Sequence, residues 1–108
     1  MLIKDLIEIT DFELLTGNPE REVSGCYIGD LLSLAMSKVH KNNVWITIQS
    51  NINIIAVASL TEAGCIVINE GFEPDDGVLQ RAQTEGITVL KSSLSAYEIA
   101  KIFAGVGI

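Results

Sequence analysis

From residue 43 to residue 105 the chain repeats one pattern: a short apolar run, then a stretch with helical spacing. The runs are Val44-Trp45-Ile46-Thr47-Ile48, Cys65-Ile66-Val67-Ile68 and Ile87-Thr88-Val89-Leu90. They begin at positions 44, 65 and 87, which are 21 and 22 residues apart. Hairpins use far shorter connections, whereas a parallel crossover needs a dozen or more residues with a helix inside. Those helices are legible in Asn51 to Ala63, through Ile52, Ile55, Leu60 and Ala63, and in Asp75 to Glu85, through Val78, Leu79 and Ala82. A last helix, Leu94 to Ala104, places Tyr97, Ile99, Ala100 and Phe103 on its apolar stripe. Gly64 and Gly86 follow the first two helices, where glycine supplies a left-handed cap. Strands without polar alternation suit a parallel sheet covered on both faces. The expected fold class is therefore α/β, a three-layer α/β/α arrangement with a mostly parallel central sheet built from βα units.

The first 42 residues are less regular. Lys4 to Ile9 predicts a short helix and Phe12 to Leu15 a strand, with Gly17-Asn18-Pro19-Glu20 a turn. Val23 to Ile28 predicts a second strand, and Leu31 to Val39 a helix with Asp30 as its N-cap. With 108 residues and no linker or low-complexity tract, residues 1–108 are expected to form a single domain. The apolar share, 48% against 19% charged, is enough for one core and argues against disorder.

Charge excludes whole classes of partner. Fourteen acidic residues against seven basic ones give a net −7, and Arg21, Arg81 and the lysines are scattered. Nucleic-acid binding needs a basic stripe, and anionic membrane surfaces attract basic clusters, so neither partner is expected. The apolar runs fall short of the ~20 residues of a membrane span. Met1-Leu2-Ile3-Lys4-Asp5 is amphipathic rather than signal-like. Cys26 and Cys65 sit in apolar runs without a CxxC pattern and read as two buried free thiols. A cytoplasmic location follows as the expectation.

Catalytic motifs are missing. The single histidine, His40, stands beside Lys41 at a helix end, where positive charge complements the helix dipole. One histidine and two separated cysteines do not make the usual zinc set, so no metal is expected. The Walker, dinucleotide-binding and nucleophile-elbow patterns do not occur, and no cofactor is expected. Glu70, Glu73, Asp75 and Asp76 cluster after one strand. Oxygen ligands of that kind suit a hard cation, but acidic residues and Pro74 at a helix start explain them more simply.

What the sequence does place together is a polar rim. In an open parallel sheet, ligands bind beyond the carboxyl ends of the strands. Those ends carry Gly29 and Asp30, then Gln49, Ser50 and Asn51 with Asn53, then Asn69, Glu70 and Gly71, then Lys91, Ser92 and Ser93. Asp30, Asn51 and Ser93 are ordinary cap residues, yet one cap does not account for the whole run Gln49 to Asn53. The candidate ligand-binding residues are Gly29, Asp30, Gln49, Ser50, Asn51, Asn69, Glu70 and Gly71, facing several helix N-termini. Leu31 to Met36, Ile52 to Leu60 and Ile102 to Ile108 carry more apolar surface than one core needs. Such surplus marks a partner surface, and a homodimer is expected.

The segment Arg21-Glu22-Val23-Ser24-Gly25-Cys26-Tyr27-Ile28-Gly29-Asp30-Leu31-Leu32-Ser33 resembles DRTGG-domain proteins, as do Asn43 to Gln49 and Asn53 to Leu60. The resemblance runs from about residue 2 to 106, and the chain is most similar to stand-alone members. It implies an α/β/α domain related to the N-terminal domain of HPr kinase/phosphorylase. The same domain occurs between nucleotide-sensing CBS domains of certain inorganic pyrophosphatases and within long phosphate acetyltransferases. There it is an accessory module that contributes to dimer contacts, and it implies no catalytic residues. The chain departs from the naming motif: Gln49-Ser50-Asn51 stand where members tend to show Gly-Asp-Arg, and Asn69-Glu70-Gly71 where they tend to show Thr-Gly-Gly.

Three functions follow as expectations. The first is a non-catalytic regulatory or protein-interaction module that dimerises and acts on an unidentified protein partner. The alternative is a sensor of a small molecule, an adenine nucleotide among the candidates, at the strand-end rim. The third is an enzyme built on an acid–base pair such as Asp30 and Glu70.

Overall fold

A computed structural model describes residues 1–108. Ten elements follow along the chain, alternating from β2 onwards. They are α1 (Ile3–Ile9), β1 (Glu13–Thr16), β2 (Cys26–Ile28), α2 (Leu32–Lys38), β3 (Val44–Thr47), α3 (Asn53–Thr61), β4 (Cys65–Ile68), α4 (Val78–Glu85), β5 (Val89–Lys91) and α5 (Ala96–Val106). The sheet order is β1-β5-β4-β3-β2. Strands β2 to β5 are parallel, and β1 closes one edge antiparallel to β5. The expected three-layer α/β/α fold with a mostly parallel sheet is the observed one.

Topology decides which helices share a face. From β2 to β5 the chain steps one strand at a time in a constant direction, so crossovers of one hand leave α2, α3 and α4 on the same side. Their core joins Ala35, Ile54, Ile55, Ala58, Val78 and Ala82 to Trp45, Ile66, Ile68 and Val89 of the sheet. The opposite core joins Ile3 and Leu6 of α1 and Ile99 and Phe103 of α5 to Val44, Ile46, Cys65, Val67 and Leu90. Alternation along each strand sorts the two sets. Phe12 and Phe103 meet edge to face in the second core, with centroids 6.0 Å apart. No helix is long and apolar enough to cross a membrane.

Several local expectations are corrected. The strand expected over Val23–Ile28 is only Cys26–Ile28, because Gly25 takes a φ of +73° and turns the chain. Val23 is buried outside the strand. The left-handed cap of α3 is Glu62 (φ +57°), not Gly64. Gly64 is required for space instead, since a Cβ there would lie 2.7 Å from the Asn42 carbonyl oxygen. Gly86 does cap α4, with φ +72°. Asp30 does not cap α2, whose N-cap Leu31 offers no side chain for the purpose. Asp75 and Asp76 precede Gly77, the N-cap of α4, rather than opening the helix. Ser93 yields the cap of α5 to Ser95, whose hydroxyl accepts from the Glu98 N–H while Glu98 reaches back to the Ser95 N–H. Cys65 is buried as expected; Cys26, on the edge strand, is only partly so, and both thiols are free.

Candidate functional site

All eight rim residues gather at the carboxyl ends of the parallel strands, but each is engaged in hydrogen bonds that hold the loops together. The Asp30 carboxylate accepts from the Thr47 hydroxyl and from the Ile48 N–H, both at 2.9 Å. Gln49 donates its Nε2 to the Asp30 carbonyl at 2.8 Å, and its Oε1 accepts from Asn51 Nδ2 at 2.9 Å. Asn51 Oδ1 in turn accepts from the Asn53 N–H at 2.9 Å, which supplies α3 with the side-chain cap that Ile52 cannot give. The Ser50 hydroxyl donates to Asp75 at 3.0 Å, and the Asp75 N–H donates to the Ser50 carbonyl at 2.9 Å. The polar run Gln49 to Asn53, which no single cap explained, thus ties three loops together.

The remaining residues have structural partners too. Gly29 donates its N–H to the Ile46 carbonyl, and its own carbonyl accepts from the Trp45 indole at 3.0 Å. A Cβ on Gly29 would strike the Tyr27 ring at 2.8 Å, so its glycine character serves that packing. Asn69 is buried; its Nδ2 donates to the Thr47 carbonyl at 3.2 Å and its Oδ1 accepts from the Ala96 N–H at 3.3 Å, at the first turn of α5. Glu70 (φ +60°) and Gly71 (φ +76°) form a left-handed pair whose N–H groups donate to the Leu94 and Ser92 carbonyls. The loops after β4 and β5, which lead to helices on opposite faces, are laced shut at the place where such a fold opens a crevice. No side-chain nitrogen or oxygen is buried without a partner.

Towards β2 and β3, what stays open is mainly apolar. A cavity of about 440 Å3 lies at this end on the α1/α5 side, walled by Ile28, Ile46, Ile48, Phe72 and Ala96, with Asp30, Asn69 and Glu70 at its edge. Ile28, Ile48 and Phe72 are exposed although large and apolar. Sequence reasoning singled out none of these walls. Ile48 was legible as the next alternate residue after Val44 and Ile46, and Phe72 as an aromatic stranded in a polar loop.

The electrostatics of this end are one-sided. Asp30, Glu70, Glu73, Asp75 and Asp76 are exposed in its connections, and Asp11 and Glu13 flank them at the β1 edge. The one base in those connections, Lys91, lies 2.6 Å from Glu73 and 3.5 Å from Glu13. The hydrogen bond and charge of Glu73, with help from Glu13, push the Lys91 pKa up. Arg81, in the second turn of α4, is paired with Glu85. The carboxylates do not converge into a set that would hold a metal ion. Asp11 receives the hydroxyls of Ser92 and Ser93 and the Ser93 N–H. Partial burial raises its pKa, but these hydrogen bonds outweigh that and hold it below the usual 3.8. The cysteines are not poised nucleophiles: burial pushes both thiols up to about 12.

The model of the DRTGG domain family matches residues 5–106. No curated protein matches the chain. Among solved structures, it is similar to the CBS and DRTGG domains of the regulatory region of Clostridium perfringens pyrophosphatase, a region solved in complex with the activator diadenosine tetraphosphate. The TM-score is 0.76 at 12% identity, over 94% of this chain and 45% of the other. The chain therefore spans less than half the length of that relative, and the likeness is one of fold.

Proposed function

Because this chain belongs to the DRTGG-domain family, we propose that it is a non-catalytic regulatory and protein-interaction module, cytoplasmic and homodimeric. The observation that carries the reading is the outer surface of α2 and the edge beside it. Leu31 and Leu34, one turn apart, stand exposed there, Leu31 at 65%, Met36 is exposed on another side of the helix, and both cores are complete without them. The chain enters α2 directly from β2, whose outer edge pairs with no other strand. An apolar surface beside a free edge is a liability unless it is covered, and a two-fold axis there would cover both copies at once. The unreactive thiols and the exposed His40 support the non-catalytic part. Two free cysteines suit a reducing compartment.

Sedimentation velocity tests the pairing. The expected species has twice the chain mass of 11.7 kDa, and Leu34→Glu returns it to the monomer without loss of helical signal. A wild-type chain that stays monomeric across the micromolar range overturns the reading.

A second reading, a sensor of an adenine nucleotide at Gly29, Asp30, Gln49, Ser50, Asn51, Asn69, Glu70 and Gly71, draws support from the activator bound by the pyrophosphatase region. Against it stand the carboxylates of this end and the pairing of Lys91 and Arg81, which leave no free cation for a phosphate.

A further inference from the structure

We propose that the apolar mouth at the carboxyl ends of β2, β3 and β4 is the docking site for a lysine- or arginine-rich segment of a partner protein, which seats an apolar side chain among Ile28, Ile48 and Phe72. The proposal rests on the reading of the chain as a protein-interaction module and names the chemistry of its partner.

Three observations select this occupant. First, the polar side chains around the mouth are already spent on Thr47, Asp30, Asn51, Asn53 and Asp75, so a ligand recognised mainly by hydrogen bonds finds few free groups. The surface left over is apolar, in a cavity of about 440 Å3 with room for one or two side chains. Second, the connections around it carry Asp30, Glu70, Glu73, Asp75 and Asp76 against one base, Lys91, which Glu73 and Glu13 hold. The opposite end of the sheet is mixed, with Arg21 and Lys41 among Glu20, Glu22 and Glu62. Much of the net −7 therefore gathers at this end of the sheet, with Asp30 and Glu70 on the mouth itself. A field of one sign around an apolar pocket steers the opposite charge to it and repels nucleotides, nucleic acid and anionic lipid alike. Third, the same field excludes a second copy of this chain. A two-fold contact sets each patch against itself, which would press carboxylates on carboxylates. Pairing through α2 and docking at the mouth therefore use different surfaces.

The test uses three labelled twelve-residue peptides: alternating Lys and Leu, the same with Glu for Lys, and the same with Ser for Leu. Fluorescence anisotropy is read against the intact chain, and backbone amide NMR shifts locate the contact. The Lys/Leu peptide is expected to bind, to weaken at least tenfold in 0.5 M salt, and to shift the amides of Ile28, Ile48 and Phe72. The combined variant Ile48→Ser, Phe72→Ala is expected to weaken it at least tenfold with its melting curve still cooperative. Glu70→Gln with Asp76→Asn, which remove charge and leave the apolar walls in place, weaken it about threefold. The Glu/Leu and Lys/Ser peptides bind at least tenfold more weakly than Lys/Leu. Absence of Lys/Leu binding, equal binding of the Lys/Ser peptide, or shifts confined elsewhere overturns the proposal. A change of sedimenting mass in Ile48→Ser, Phe72→Ala gives the mouth to a second copy and equally overturns it. The Leu34→Glu variant separates the two readings: a monomer that still binds Lys/Leu keeps the mouth and loses nothing but the dimer, and a dimer that ignores the peptide loses the mouth alone.

Discussion

The two faces of the sheet are built from the same strands, yet they end differently. Under α2, α3 and α4, Trp45 is fully buried and its indole N–H is held by the Gly29 carbonyl. Under α1 and α5, the neighbouring strand position Ile46 is equally buried, but the row continues into Ile48 and Ile28, which reach open surface. Three helices seal one side, and two leave part of the other uncovered. A fold with one helix after each parallel strand seals whichever face receives the helices, and the face receiving only the chain's first and last helices keeps a gap. Here that gap lies at the end of the sheet where loops meet.

The difference can be broken most severely at the sealed face. Trp45→Ala removes a large buried ring and its hydrogen bond, and is expected to cost about 3–5 kcal/mol in urea unfolding. Ile48→Ser on the open face is expected to cost under about 1 kcal/mol, because the side chain already sees water. Equal losses at the two positions would mean that the mouth is closed in solution. The next effect has the opposite sign. Glu70 holds a left-handed backbone that a side chain tolerates poorly, and the backbone bond it makes there needs no side chain. Glu70→Gly is expected to stabilise by about 0.5–1 kcal/mol, the backbone relief exceeding the greater freedom glycine gives the unfolded chain. A destabilised variant would show that the Glu70 side chain has work beyond the turn.

The smallest effect belongs to the β1 edge. The Asp11 carboxylate is held below its usual 3.8 in the folded state. Its contribution is therefore present above the unfolded value and lost as pH falls through the folded one. Asp11→Asn is expected to lower stability at pH 7 and to flatten the acid limb below about pH 4. Unfolding curves at pH 7 and pH 3 that differ by the same amount in variant and wild type would remove Asp11 from that role.

These contrasts also mark what the sequence could carry. The spacing of apolar runs specified the parallel strands and their helices, because burial on both faces leaves an unmistakable continuous pattern. Strand β4 came out with its boundaries intact. Boundaries governed by single backbone angles did not: Gly25 shortened β2, and Glu62 took a left-handed cap that its residue type disfavours. The candidate site was legible as a location rather than as chemistry. Residue type placed polar groups at the strand ends, but whether they face a ligand or one another depends on loop geometry that no local pattern encodes. Gln49 and Asn51 are spaced to reach each other and the two flanking elements, and that mutual reach appears only once Asp30 and Asn53 are brought alongside.

The polar rim holds the fold together and leaves the apolar mouth beside it free. Thermal unfolding of the double variant Gln49→Ala, Asn51→Ala, with and without adenine nucleotides, tests it directly. Loss of the bonds to the Asp30 carbonyl and the Asn53 N–H is expected to cost about 1–2 kcal/mol, a fall in Tm of roughly 5–10 °C, with no nucleotide shift in either protein. An unchanged Tm in the ligand-free variant, together with a nucleotide shift that only the wild type shows, would contradict the account and make the rim a binding site.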